Sequence, residues 1–345
     1  MLLDYFGDID PRAVHVLFGL GLGLVFGVAA QISRFCLRRS IVGEDSGAAS
    51  AVWLTALAAA IGGFSLANIW GFVDVGEHRF LSGNLPIAAI VVGGLAFGVG
   101  MVLTRGCVSR LTILSATGNL RAVSVLLVFA ITAHATLKGV LAPLRVSLGE
   151  ISVATPIASL AEIPGLSIAA TAAIFAIAVY LARRFNAHPG HMVLGAVIGL
   201  ITVAGWAGTS VLFLDDFDPL PLQSAAFTLP WSDTLFWLIA SSAIPAGFGT
   251  GLIGGVVLGS FLSAAARGEL ELQSFEGPVQ TVRYLTGGAL MGVGGVLAGG
   301  CTVGAGLSGS ATLSVAALLA LVSIVVGAVL ASRVMQHSPA VIPAE

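Results

Sequence analysis

The sequence predicts an all-α integral membrane protein of about nine transmembrane helices, with re-entrant or broken segments and two inverted-topology repeats. Three observations lead there. Hydrophobic residues fill 57% of the 345 positions and charged residues only 9%, with a mean hydropathy of +1.01, far from the balance of a soluble domain. Apolar runs long enough to cross a hydrocarbon core of about 30 Å, at about 1.5 Å per residue, recur along the whole chain. Two glycine-rich runs, each ending in a cysteine, lie an odd number of spans apart. The spans are helices because lipid offers the backbone no partners, and no ten-residue alternation suggests a barrel.

In order, the spans are expected at about 13–33, 48–71, 86–105, 120–142, 166–184, 191–213, 233–266, 284–300 and 312–332. The first follows "MLLDYFGDIDPR", which is acidic where a cleavable signal peptide would be positive. It carries Gly19, Gly23 and Gly27, a four-residue spacing that lets helix backbones approach closely. The third ends in "TRGCVSR". The fourth holds His134 and Lys138 one turn apart, and ionisable residues within a span are functional candidates. Lys138, near the end, suits snorkelling, which leaves His134 the better candidate. After the sixth span, Asp215, Asp216 and Asp218 suit a solvated turn. The seventh is too long for one straight crossing and contains Pro245, which predicts a break or a tilt. The eighth ends in "GGCTVGAGLSG".

Lys and Arg set the orientation. With the N-terminus outside, Arg34, Arg38, Arg39, Arg105, Arg110, Arg121, Arg183, Arg184, Arg267, Arg283 and Arg333 fall inside, against Arg12, Arg79 and Arg145 outside. The C-terminus is then cytoplasmic. "GGLAFGVGMVLTRGC" (Gly93–Cys107) overlays "GGALMGVGGVLAGGC" (Gly287–Cys301) without a gap, and "HVLFGLGLGL" from His15 weakly echoes "HMVLGAVIGL" from His191. Spans one to four thus match spans six to nine, displaced by five helices, so the copies face opposite ways. Inverted repeats of this kind build transporters whose glycine-interrupted segments meet near the midplane. The expected organisation is an external segment 1–12, a first repeat 13–142, a connecting span 143–190, an inverted second repeat 191–332 and a cytoplasmic tail 333–345.

Cys36, Cys107 and Cys301 are too few and too scattered for a disulfide framework, and no CxxC or CxxH pair suggests a zinc site. A lone cysteine is ordinarily a small buried hydrophobe. Here each one follows an apolar helix at a point where glycine, arginine or hydroxyl residues interrupt the pattern, and Cys107 and Cys301 are equivalent in the repeat. Together these facts favour function. "GAGLSG" (Gly304–Gly309) fits the dinucleotide pattern but follows a membrane span, with no acidic residue about twenty positions on, so that reading is rejected. Its successive N–H groups can still cradle an anion. Possible anion contacts are Gly106, Ser109, Arg105, Arg110, Gly300, Thr302, Gly304 and Ser308. For the two arginines, fixing the orientation is an equal alternative.

With "SRFCLRRSI", "TRGCVSRLTILSATGNLRAV" and "GGCTVGAGLSGSATLSVAALLA" in view, the chain resembles the YeeE/YedE family of bacterial inner-membrane sulfur transporters over nearly its whole length. The resemblance implies an hourglass-like protein of two inverted halves that imports thiosulfate or a related sulfur anion, without a cofactor. It also implies that Cys36, Cys107 and Cys301 line the path and relay the substrate. The position echoing Cys36, near Leu212, has no cysteine. Expected partners are the sulfur anion, membrane lipid and a separate TusA-like sulfur carrier on the cytoplasmic side, with no nucleic acid and no bound metal. Thiosulfate chemistry fits: a near-neutral thiol offers a weak S–H donor to the terminal sulfur, and backbone N–H groups can hold the oxygens. Two alternatives remain. One is another sulfur or selenium species, or a soft metal such as Cu(I). The other is an intramembrane thiol oxidoreductase, although nothing is paired in sequence.

Overall fold

The computed structural model describes residues 10–73, 75–76, 78–211 and 221–336. Asp215, Asp216, Asp218 and Leu212 lie outside them, as does most of the 1–12 and 333–345 segments. The protein is all-α: among the described residues the only strands are Asn84–Leu85 and Val153–Ala154, a two-residue antiparallel pair.

The helices are α1 (Pro11–Ser33), α2 (Leu37–Val42), α3 (Ser46–Ile69), α4 (Ile87–Leu103), α5 (Val108–Ala116), α6 (Leu120–Lys138), α7 (Ala142–Glu150), α8 (Leu166–Arg184), α9 (Pro189–Val211), α10 (Thr228–Ile239), α11 (Phe248–Arg267), α12 (Pro278–Leu297) and α13 (Val315–Gln336). A π-helical segment, Gly304–Gly309, lies between the last two. Among the described residues, eight helical stretches are long and apolar enough to cross a membrane, two of which run through a break: Pro11–Val42 and Ile87–Ala116. The twenty-residue α12 is not among those eight, because Gln280, Arg283 and Tyr284 make its first turns more polar. The expected seventh span, 233–266, is in fact two helices. α10 stops at Ile239 and α11 starts at Phe248; Pro245, which has no N–H to donate, lies between them.

Glycine determines how these helices pack. α1 and α11 run parallel with their backbones in contact: Gly19, Gly23 and Gly27 sit against Phe248, Leu252 and Val256, and Gly251, Gly255 and Gly259 against Val16, Leu20 and Leu24. A Cβ at any of these six would collide with backbone on the other helix. α3 and α9 also run parallel, with Gly195 on Val52 and Gly199 on Ala56. α4 and α12 cross antiparallel: Gly93 meets Gly294, and Gly100 meets Gly287. When Gly93–Cys107 is laid on Gly287–Cys301, the first of these contacts becomes the second. In the same way Gly94 and Gly98 pack on α13, while Gly288 and Gly292 pack on α6. α8 flanks the bundle against α3, with only Ala178 fully buried, so most of its surface suits lipid.

Candidate functional site

All three cysteines follow the same kind of helix end. α1 terminates in Arg34 (φ 52°), α4 is followed by Arg105 (φ 56°), and α12 by Gly299 (φ 77°), each in the left-handed region two residues before a cysteine. After the first two, the chain closes with the wide bond of a Schellman turn: Phe35 N–H to Ala30 O at 3.1 Å, and Gly106 N–H to Met101 O at 3.1 Å. The next helical turn begins on the cysteine carbonyl, which accepts from Ser40 at 3.3 Å, Leu111 at 2.9 Å and Ala305 at 2.9 Å respectively. Each thiol is therefore held at a helix–turn–helix junction, buried inside the bundle.

Two of the thiols meet. Cys36 Sγ lies 3.6 Å from Cys107 Sγ, although 71 residues separate them. Cys107 Sγ also lies 3.2 Å from Ser109 Oγ. Cys301 Sγ accepts the N–H of Gly304 at 3.3 Å, so the first glycine of the π-helical segment is already turned toward sulfur. Thr302, next to Cys301, is buried; its Oγ1 has no hydrogen-bond partner, yet it lies within the electrostatic surroundings of Cys107. Among the described residues no three His, Cys, Asp or Glu side chains come together as metal ligands.

A cavity opens at each end of the bundle. One, of about 470 Å³, is lined by His78, Arg79, Trp206, Gly300, Gly304 and Ser308, among others, and reaches Gly249 at the start of α11. The other, of about 560 Å³, is lined by Gln31, Arg34, Arg110 and Asn119, and reaches Gly268 just beyond the end of the same helix. Eighteen residues of α11 lie between those two glycines, a rise of about 28 Å. The cysteines thus lie between two vestibules at opposite ends.

The eight expected anion contacts fall into distinct places. Gly300, Gly304 and Ser308 line the first cavity, and Ser308 Oγ donates to Ala225 O at 2.6 Å. Arg110 lines the second. Gly106, Ser109 and Thr302 are buried around the thiols. Arg105 is exposed and is not part of either lining; its backbone makes the turn. His134 is on neither lining: its Nδ1 lies 3.0 Å from Ser232 Oγ and its ring stacks on Phe236, next to Asp233 on the wall of the first cavity.

Two residues of the first cavity escaped the sequence reading. Arg79, counted there only as an outside charge, donates from Nη2 to Gly299 O at 2.9 Å and so pins the turn that presents Cys301. His78 packs edge-on to Trp206 with ring centroids 4.8 Å apart, and Trp206 Nε1 donates to Ser308 O at 3.0 Å. The adjacent "HR" in an otherwise apolar chain was the available signal.

The family model described as Sulphur transport matches residues 29–330, a range that includes all three cysteine turns. A protein of Escherichia coli (strain K12) named Thiosulfate transporter TsuA is 24% identical over 359 aligned positions, covering 94% of this chain and 96% of the relative. A protein of the same name from Spirochaeta thermophila is 28% identical over 338 positions, covering 90% of this chain and 96% of the relative.

Proposed function

The chain belongs to the sulphur transport family of YeeE/YedE type, and from that premise we propose that it imports thiosulfate across the inner membrane, passing the anion along Cys301, Cys107 and Cys36. The observation that carries this reading is that three left-handed turns each present a buried thiol between two cavities, with two of the thiols in contact. The names of both relatives support thiosulfate as the cargo. The N-terminus is outside and the C-terminus cytoplasmic, which makes the cavity of Arg79 the entrance and that of Arg110 the exit. The exchange of glycine contacts across the α4–α12 crossing supports two inverted halves, 13–142 and 191–332, joined by 143–190. Two vestibules about one α11 length apart support an hourglass outline set in lipid.

The chemistry follows from what each group offers. A dianion in a low-dielectric bundle needs donors, and the backbone of Gly300, beside Cys301 on the lining of the first cavity, can supply one, whereas the Gly304 N–H already donates to Cys301 Sγ. The thiols offer weak S–H donors to the soft terminal sulfur, so no single site holds the anion tightly and it moves on. The 3.6 Å step from Cys107 to Cys36 is short enough for one sulfur atom to touch both thiols before leaving either. Beyond Cys36 the cytoplasmic side is open to a separate TusA-like sulfur carrier.

The test is thiosulfate-dependent growth and uptake in a strain lacking other sulfur import, with Cys36→Ala, Cys107→Ala and Cys301→Ala expressed singly. Loss of uptake in each, with the protein present in the membrane, is expected. Wild-type uptake in all three ends the relay reading, and uptake of selenate or sulfite in preference to thiosulfate replaces the cargo.

A further inference from the structure

Arg110 lies in the first turn of α5, three residues beyond Cys107 at the N-cap of that helix. Its side chain shares the lining of the 560 Å³ cavity with Arg34. Nη1 is buried and makes no hydrogen bond within the protein. Across the same 560 Å³ cavity, Gln31 Oε1 is also buried without a partner. A buried guanidinium lacking a counter-charge is costly, and in most sites an acid or a bound anion meets it.

The protein's own acids do not take that role. The far wall is the strap after α11, which runs along the α5–α6 turn: Glu271 N–H donates to Thr117 O at 3.0 Å, Gln273 N–H to Gly118 O at 3.2 Å, and Leu120 N–H to Gln273 O at 2.8 Å. Glu269 accepts from Gln31 Nε2 and Arg267 Nε, each at 3.0 Å, and Glu271 accepts from Gln273 Nε2 at 3.1 Å. Both carboxylates line the cavity, yet neither is ion-paired with Arg110.

We propose that this cavity is a second anion site, with Arg110 as principal ligand and Arg34 as second cation, for a small tetrahedral dianion of the thiosulfate and sulfate class. It deepens the import reading, since the anion arrives there from the Cys36–Cys107 pair. The guanidinium draws the anion off the two thiols, and the strap carboxylates opposite limit its residence so that it leaves. Asn119 and Gln273, already bonded at 2.7 Å across the strap, place further amide groups on the lining.

The experiment is equilibrium binding of radiolabelled thiosulfate and, separately, sulfate to the purified full chain in detergent, for wild type, Arg110→Gln and Arg110→Lys. Wild type is expected to show a class of sites that accepts both anions and that weakens by about 10- to 100-fold in Arg110→Gln. Arg110→Lys keeps the charge and is expected to retain the class with a smaller loss. Coincident isotherms for wild type and Arg110→Gln overturn the proposal, as does an Arg110-dependent class that rejects sulfate. Binding is read without transport, so failure of the cysteine relay would appear in the uptake of the alanine variants and leave this result interpretable.

Discussion

Gly294→Ala tests whether the α4–α12 crossing sets the position of the thiols. A Cβ at Gly294 would stand 2.6 Å from both Gly93 O and Phe97 N, where ordinary contact begins at 3.4 Å. Both neighbours are backbone, so no side chain can swing away. The helices must part by most of that 0.8 Å shortfall, an overpacking cost of about 1–3 kcal/mol. α4 leads into the turn of Cys107 and α12 into the turn of Cys301, so the separation is passed directly to the two thiols. A displacement of that size is expected to lower uptake on the order of ten- to a hundred-fold, by analogy with misplaced reacting groups. Gly100→Ala, whose Cβ would meet Gly287 O at 2.5 Å and Met291 Cγ at 2.8 Å, should behave alike. Because both variants widen one interface, the double variant should cost less than the sum by about 0.5 kcal/mol or more. Gly254→Ala on α11 is the control: its Cβ would meet nothing within 4 Å, and helix propensity favours Ala by about 1 kcal/mol. Thermal melting in detergent and initial uptake rates give both readouts. If Gly294→Ala melts and transports like Gly254→Ala, the crossing does not govern the site.

Further outcomes follow from single residues. Burial first, and then the charge of Arg79, lowers the pKa of His78 from its usual 6.5 to about 4. The folded chain therefore keeps this ring neutral, and its contribution is complete above pH about 6.5 and lost as pH falls toward about 4. Melting temperature should drop across that window, and His78→Gln should flatten the drop; an equal drop in both means another group is responsible. Arg105 holds a left-handed turn that Gly299 makes at the equivalent place without strain. Arg105→Gly should therefore raise stability by about 0.5–1 kcal/mol and leave uptake intact. A large loss of uptake with unchanged folding would instead make its side chain an anion ligand.

Much of the architecture was legible in one dimension. Hydropathy alone specifies a helical membrane protein, since lipid cannot satisfy any other backbone. The overlay of Gly93–Cys107 on Gly287–Cys301 located two of the three turns, and "SRFCLRRS" the third. The four-residue spacing of Gly19, Gly23 and Gly27 in α1 pointed to the close packing that the structure shows. The break within 233–266 was legible from its length and Pro245, though α10 and α11 as separate helices were not.

What the sequence by itself determined is therefore the local chemistry: apolar helices, the places where they stop, and a cysteine at each stop. Only the tertiary structure decided which thiols touch. Cys36 and Cys107 are neighbours at 3.6 Å, whereas sequence equivalence had drawn attention to Cys107 and Cys301. It also separated arginines that look alike in the chain, with Arg110 turned into a cavity, Arg105 exposed and Arg79 fastened to Gly299. The reason is physical: a helix end is settled by interactions within a few residues, but the approach of two helices depends on glycines far apart in sequence whose missing side chains fit one another.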